Sequence, residues 1–220
     1  MNEPERNAQI EPRWPAALAI VAVLALFAAL PERLKLFPRP TPYIFGFALI
    51  ALMAGVGLTR GTPWWLRAER RYLLLVVVLL ILGDLQALTM LVRAMVRRST
   101  EVGGVALLAS SIAVWVSNVL AFSLLYWQID RGGPESRVNQ RGIRPDWQFP
   151  QTGAPDDAPP GWRPTFVDYL FLGFSTATAF SPTDALPLTS RAKLLMMLES
   201  VISLVTIVVV GARAINILGS

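Results

Sequence analysis

Five long apolar stretches dominate this chain, and they leave it few places to fold other than a lipid bilayer. They run over 14–30, 42–58, 72–92, 104–127 and 191–218. A helix needs roughly 17–25 apolar residues to cross the hydrocarbon core, and each stretch supplies them. In lipid every backbone N–H and C=O must be satisfied inside the segment, so a spanning stretch of this kind becomes a helix. The sequence predicts an all-α membrane protein with five transmembrane helices. Its 220 residues are expected to make one membrane domain, with no room for a second, soluble one. The first stretch is expected to stay in the membrane rather than be cleaved as a signal. Glu3, Glu5 and Glu11 offset Arg6 and Arg13 ahead of it, and it reaches Pro31 without a small-x-small site.

The chain has no His and no Cys. That removes disulfides and thiolate chemistry, along with the commonest general base and metal ligand. Of the acids, Asp84, Asp168, Asp184 and Glu199 show no catalytic spacing, so neither an enzyme nor a cofactor or bound metal is expected. The net charge of +5 is spread over short loops. It points to anionic membrane lipid as partner and not to nucleic acid. Few lysines and many arginines suggest a GC-rich bacterial genome, hence a multi-pass protein of the bacterial inner membrane.

Pro31, Pro38 and Pro40 end the first helix. Trp64 and Trp65 beside Arg67, Arg70 and Arg71 suit the headgroup layer. Arg93, Arg97 and Arg98 cluster at the end of the third span, whereas a voltage sensor needs arginines every third residue inside one. In the fourth span Ala109, Ala113, Ser117 and Ala121 recur every fourth residue, a stripe expected to pack on the last helix or on a neighbouring subunit. Residues 128–163 form the long connection, with five acidic and five basic residues in balance. Little apolar surface is available there, so an irregular or partly disordered chain is expected, pinned to the interface by Trp127, Trp147 and Trp162.

The residues after Pro164 carry the functional signal. Thr165 and Asp168 have capping-box spacing, which starts a helix running to about Ala177. The partial negative charge at its C-terminal end would favour a cation beyond it. Thr176, Thr178, Ser181, Thr183 and Asp184 then make a polar turn, and Ser190-Arg191 opens the last helix. Non-helical backbone at membrane depth must be buried in protein or line water. Pore-loop channels build a selectivity filter this way, from oxygens that replace an ion's hydration shell. The plain alternative is a polar loop whose Thr183 or Asp184 caps the next helix. In the last helix Glu199, Ser203, Thr206 and Arg213 share one face. Glu199 is expected either to face a pore cavity or to pair near the interface, since a carboxylate inside a span needs a partner or water. Asp84 is expected in a buried polar cluster holding helices together, with Gln86, Asn118 or a protonated Glu199 as partner.

On these residues the stretch 166–210 resembles the pore module of potassium-channel-like proteins: pore helix, filter, inner helix. The filter signature T-V-G-Y-G-D falls on Ala179, Phe180, Ser181, Pro182, Thr183 and Asp184, with Thr178 just before it. Asp184, Pro187 and Arg191 match the family's residues, and Glu199 falls where many bacterial members have Glu. Ser181 and Thr183 replace both filter glycines, and Pro182 stands in place of Tyr. The whole chain also resembles a family of uncharacterised bacterial integral membrane proteins in which several helices precede this degenerate module. The shared cues are Tyr126-Trp127, Phe149-Pro150, Asp168-Tyr169-Leu170, Phe180 to Asp184 and Thr189-Ser190-Arg191. The resemblance implies a three-helix region over 1–103 and a pore-like module over 104–220, with a re-entrant pore helix and loop before the last helix. It further implies a homo-oligomer, by analogy a tetramer, passing monovalent cations with poor discrimination. A non-conducting scaffold that keeps the module's fold is the other reading.

Overall fold

A computed structural model describes residues 11–32, 38, 40–59, 62–96, 104–139, 143–179 and 185–218. Among these the fold is all-α apart from one pair of two-residue strands. The apolar stretches become α1 (Trp14–Ala29), α2 (Thr41–Leu58), α3 (Pro63–Val96), α4 (Gly104–Ile129) and α8 (Ser190–Leu218). Between α4 and α8 lie α5 (Pro134–Asn139), β1 (Trp147–Gln148), α6 (Pro150–Gly153), α7 (Phe166–Ala179) and β2 (Leu186–Pro187). Among the described residues three helices, α3, α4 and α8, are long and apolar enough to cross a membrane, while α1 and α2 are apolar but shorter.

Local chemistry sets the boundaries. Leu30 ends α1 in an extended conformation because Pro31 disfavours the helical region for the residue before it. Helix α3 starts well before the apolar stretch at 72. Its first turns bury Leu66 and Glu69 and expose Arg67, Arg70 and Arg71, so an amphipathic segment prolongs the span. Gly55 lets α2 approach α3 closely: a Cβ there would lie 2.7 Å from the Trp65 ring.

Helix α4 is the hub and packs against α1, α3, α7 and α8. Its final turns are almost wholly buried, with Ala121, Phe122, Leu124 and Tyr126 fully enclosed. One member of the expected small-residue stripe is tied to α3 rather than to α8. Ser117 faces α3, where it donates to Asp84, whereas Trp115, Asn118 and Tyr126 bond to α8. The reason is angular: residues 115, 118 and 126 lie roughly a helix turn or two apart on one side, and 117 sits about 100° away from 118.

The long connection is more ordered than its composition suggests. It leaves α4 through a 3-10 turn, Asp130–Gly132, in which Arg131, Gly132 and Gly133 have φ of 51°, 79° and 100°. Glycine suits the last position doubly, since a Cβ on Gly133 would approach the Gln128 carbonyl to 2.9 Å. β1 and β2 pair antiparallel, with Trp147 opposite Pro187 and Gln148 opposite Leu186. Trp127 and Trp147 are not interface anchors but buried residues. Trp147 packs on Tyr126 with ring centroids 4.8 Å apart and donates to the Met196 sulfur at 3.2 Å. Trp162 is half-buried against Phe149.

Candidate functional site

Helix α7 is capped locally at its start and tied to α8 at its far end. At its start the Thr165 N–H and hydroxyl both donate to the Asp168 carboxylate, at 2.7 and 2.9 Å. This is half of the expected capping box, because the Thr165 hydroxyl gives its proton to Asp168 instead of accepting from a backbone amide. At its far end the Thr176 and Ala177 carbonyls accept from Ser200 (3.3 Å) and Ser203 (2.6 Å) of α8. Trp115 Nε1 in turn donates to Ser203 at 2.7 Å. Carbonyls that a helix terminus leaves unsatisfied are thus taken up by α8, and part of the negative helix end is spent on protein hydroxyls.

Midway along α7, Gly173 lets three helices meet. A Cβ there would stand 2.4 Å from Ser123 Oγ, 3.2 Å from the Val119 carbonyl and 3.3 Å from Glu199 Oε1. Glu199 is wholly buried and accepts a 2.5 Å bond from the Tyr126 hydroxyl, while Asn118 Nδ2 donates to its backbone carbonyl at 3.3 Å. Ser203 and Thr206 are equally enclosed. This polar stripe of α8 therefore faces α4 and α7 inside one chain. The opposite side of α8 is apolar and exposed, with Leu194, Met197, Val201, Leu204 and Val208. Arg213 lies in α8, with its side chain outside the described residues. Asp84 is also buried. Its hydrogen bond comes from Ser117 at 3.2 Å rather than from Gln86, Asn118 or Glu199, so it joins α3 to α4. Among the described residues Asp84 Oδ1, Asn118 Oδ1, Thr176 Oγ1 and Glu199 Oε1 are buried without a hydrogen-bond partner.

Of the expected filter-like turn, Thr178 and Ala179 form the exposed end of α7, and Thr178 Oγ1 bonds back to the Phe174 carbonyl at 2.7 Å. Phe180, Ser181, Pro182, Thr183 and Asp184 lie outside the described residues.

A second polar cluster, which sequence reasoning missed, lies at the end of the bundle where α4 finishes and α3 and α8 begin. Asp130, wholly buried, accepts from the Tyr169 hydroxyl of α7 (2.5 Å) and the Asp146 backbone N–H (2.7 Å). Asp146 accepts from Thr189 Oγ1 and Arg191 Nε, both at 2.6 Å, and from Arg191 Nη2. That gives Arg191 a two-point grip on one carboxylate. Arg137 lies over the rings of Tyr169 and Trp127 and donates to the Trp127 and Asp130 carbonyls and, at 3.0 Å, to Glu11. Glu11 also accepts from Trp127 Nε1 at 2.7 Å, and nearby Arg13 pairs with Glu69 at 2.5 Å. Burial pushes the Tyr169 phenol well above its ordinary value. The neighbouring Arg137 opposes this and Asp130 adds to it, so Tyr169 remains a proton donor at neutral pH. The sequence cue was present but faint: two acids, Asp130 and Asp146, flank the glycine-rich turn of a charge-balanced connection.

Among the described residues no three Asp or Glu side chains gather where they could hold a metal ion. Comparison with protein-family models, with curated proteins and with solved structures found no match.

Proposed function

We propose that this chain is the subunit of an oligomeric pore-module protein of the bacterial inner membrane, a weakly selective path for monovalent cations. One observation carries the reading: α7 is 14 residues long, and its C-terminal carbonyls are bound by Ser200 and Ser203. At about 1.5 Å per residue, those serines lie about 15–20 Å along α8 from Ser190, close to the middle of a bilayer. The chain then returns to the bundle end, where Leu186–Pro187 pairs with Trp147–Gln148. A helix that enters to mid-depth and a chain that leaves on the same side make a re-entrant loop. Backbone of that kind is tolerated only inside protein or against water, which is the setting of a filter. With α1 and α2 counted as crossings, the five-helix topology puts residues 11–13 on the same side as the 128–163 connection. The Glu11 bonds to Trp127 and Arg137 agree with that.

In this reading the ion meets the turn, Thr178 to Asp184, and not the α8 stripe, which is enclosed within the chain. Subunit number by native mass spectrometry from nanodiscs, followed by K⁺ and Na⁺ flux in proteoliposomes, tests the proposal. A tetramer whose flux falls in Asp184→Asn supports it, and a strict monomer overturns it.

The burial of Glu199, Ser203 and Thr206 favours a second reading, a non-conducting membrane scaffold with the module's fold. Ser181 and Thr183 at the filter-glycine positions point the same way, because they resist the positive φ that turns carbonyls inward. An oligomer without flux would select it.

A further inference from the structure

We infer that Asp130 and Asp146 form a clamp that sets the spacing between the two flanks of residues 180–184. It does so by tying α7 and the start of α8 to each other through the connection. Each flank has its own acid: Tyr169 of α7 donates to Asp130, and Thr189 and Arg191 at the start of α8 donate to Asp146. The acids are themselves joined, because the Asp146 backbone N–H donates to Asp130 Oδ1 at 2.7 Å. The Leu188 N–H donates to the Asp146 carbonyl at 2.8 Å, which carries the same tie onto the segment just after β2.

Both acids and Tyr169 are wholly buried, so these three cannot exchange their partners for water at low cost, whereas the Arg191 side chain that grips Asp146 is largely exposed. Arg137 braces the assembly from the other side. It binds the Asp130 carbonyl and stacks on Tyr169, and Glu11, ahead of α1, holds it in place. The clamp thus links four separate parts of the chain through single side chains. Asp130 and Asp146 are positioning residues: they act through the helices that flank residues 180–184. The consequence for ion discrimination rests on the pore reading; the mechanical coupling does not.

Hydrogen–deuterium exchange on the full-length protein in nanodiscs tests the coupling. Asp146→Asn should speed amide exchange about tenfold or more both in 185–193, its own flank, and in 166–172, where it makes no hydrogen bond; a charge-assisted bond is worth that much. Tyr169→Phe, which removes a single hydroxyl and should fold, is expected to loosen 185–193 as well as α7. Asp156→Asn, on an exposed part of the same connection, should change neither. Loosening confined to the flank each residue touches would overturn the clamp, as would uniform loosening that includes α3. The K⁺/Na⁺ flux ratio supplies a separate readout: Tyr169→Phe should shift it while leaving subunit number unchanged. Absence of flux in the unmodified protein would refute the pore reading while the exchange result still decides the clamp.

Discussion

Gly173→Ala should be costly for a reason visible in three distances. The new Cβ would lie 2.4 Å from Ser123 Oγ, 3.2 Å from the Val119 carbonyl and 3.3 Å from Glu199 Oε1. An ordinary carbon–oxygen contact is about 3.4 Å or more, so Ser123 must yield by about 1 Å. It can swing away only by breaking its 2.6 Å bond to the Val119 carbonyl. Overpacking of this kind costs about 1–3 kcal/mol and the lost bond about 1 kcal/mol more. The helix preference of Ala over Gly returns about 1 kcal/mol. The expected net loss is about 1–3 kcal/mol, a folded-to-unfolded ratio lower by about 5- to 150-fold. Ser123→Ala in the same chain removes the worst contact and leaves two that shifts of a few tenths of an ångström absorb. The double variant should recover to within about 1 kcal/mol of the parent, giving a favourable coupling in the mutant cycle. Unfolding by SDS in mixed micelles, followed by tryptophan fluorescence, gives the free energies. Two results would refute the packing: Gly173→Ala matching or exceeding the parent, as helix propensity alone predicts, or Ser123→Ala bringing no relief.

Three further outcomes follow from the same geometry. Tyr126→Phe removes the 2.5 Å bond to Glu199 and leaves a second carboxyl oxygen buried without a donor; a loss of about 1–3 kcal/mol is expected in the same unfolding assay. Gly55→Ala sets a Cβ 2.7 Å from the Trp65 ring, which should loosen α2 from α3 and shift tryptophan emission while subunit number holds. Glu199→Gln keeps the size and a hydrogen-bond acceptor for Tyr126, so any flux present in the parent should persist. Loss of flux with unchanged subunit number would show that Glu199 reaches the ion path.

Much of the architecture was legible because hydrophobic length is a strong signal. The predicted stretches 14–30, 42–58, 104–127 and 191–218 match α1, α2, α4 and α8 to within two residues at each end. Helix α3 was misjudged at its start. There the helix continues through charged residues, and an amphipathic extension carries no long apolar run. Composition failed for the connection in a different way. A segment with balanced charge reads as unfoldable alone, yet Asp130, Arg137 and Asp146 each bind a partner 39 or more residues away: Tyr169, Glu11 and Arg191. The periodic face of Glu199, Ser203 and Thr206 was legible as a face. Which neighbour it met was not, because periodicity says that residues share a side and nothing about what lies opposite.

The disposition of the polar groups also separates folding from assembly. Helix α7 is fixed within one chain at its start, at Tyr169, at Gly173 and at its last carbonyls. The side of α8 left over is apolar, and lipid or a neighbouring apolar helix can cover it equally well without leaving a polar group unsatisfied. Ties of this kind do not require copies to meet around an axis. Conduction, by contrast, needs the turns of several copies to face one another, since one chain supplies one turn. The fold can therefore persist after permeation is lost, which is what the non-conducting reading requires. The discriminating measurement is accordingly one made between chains, and no stability assay on the fold can replace it.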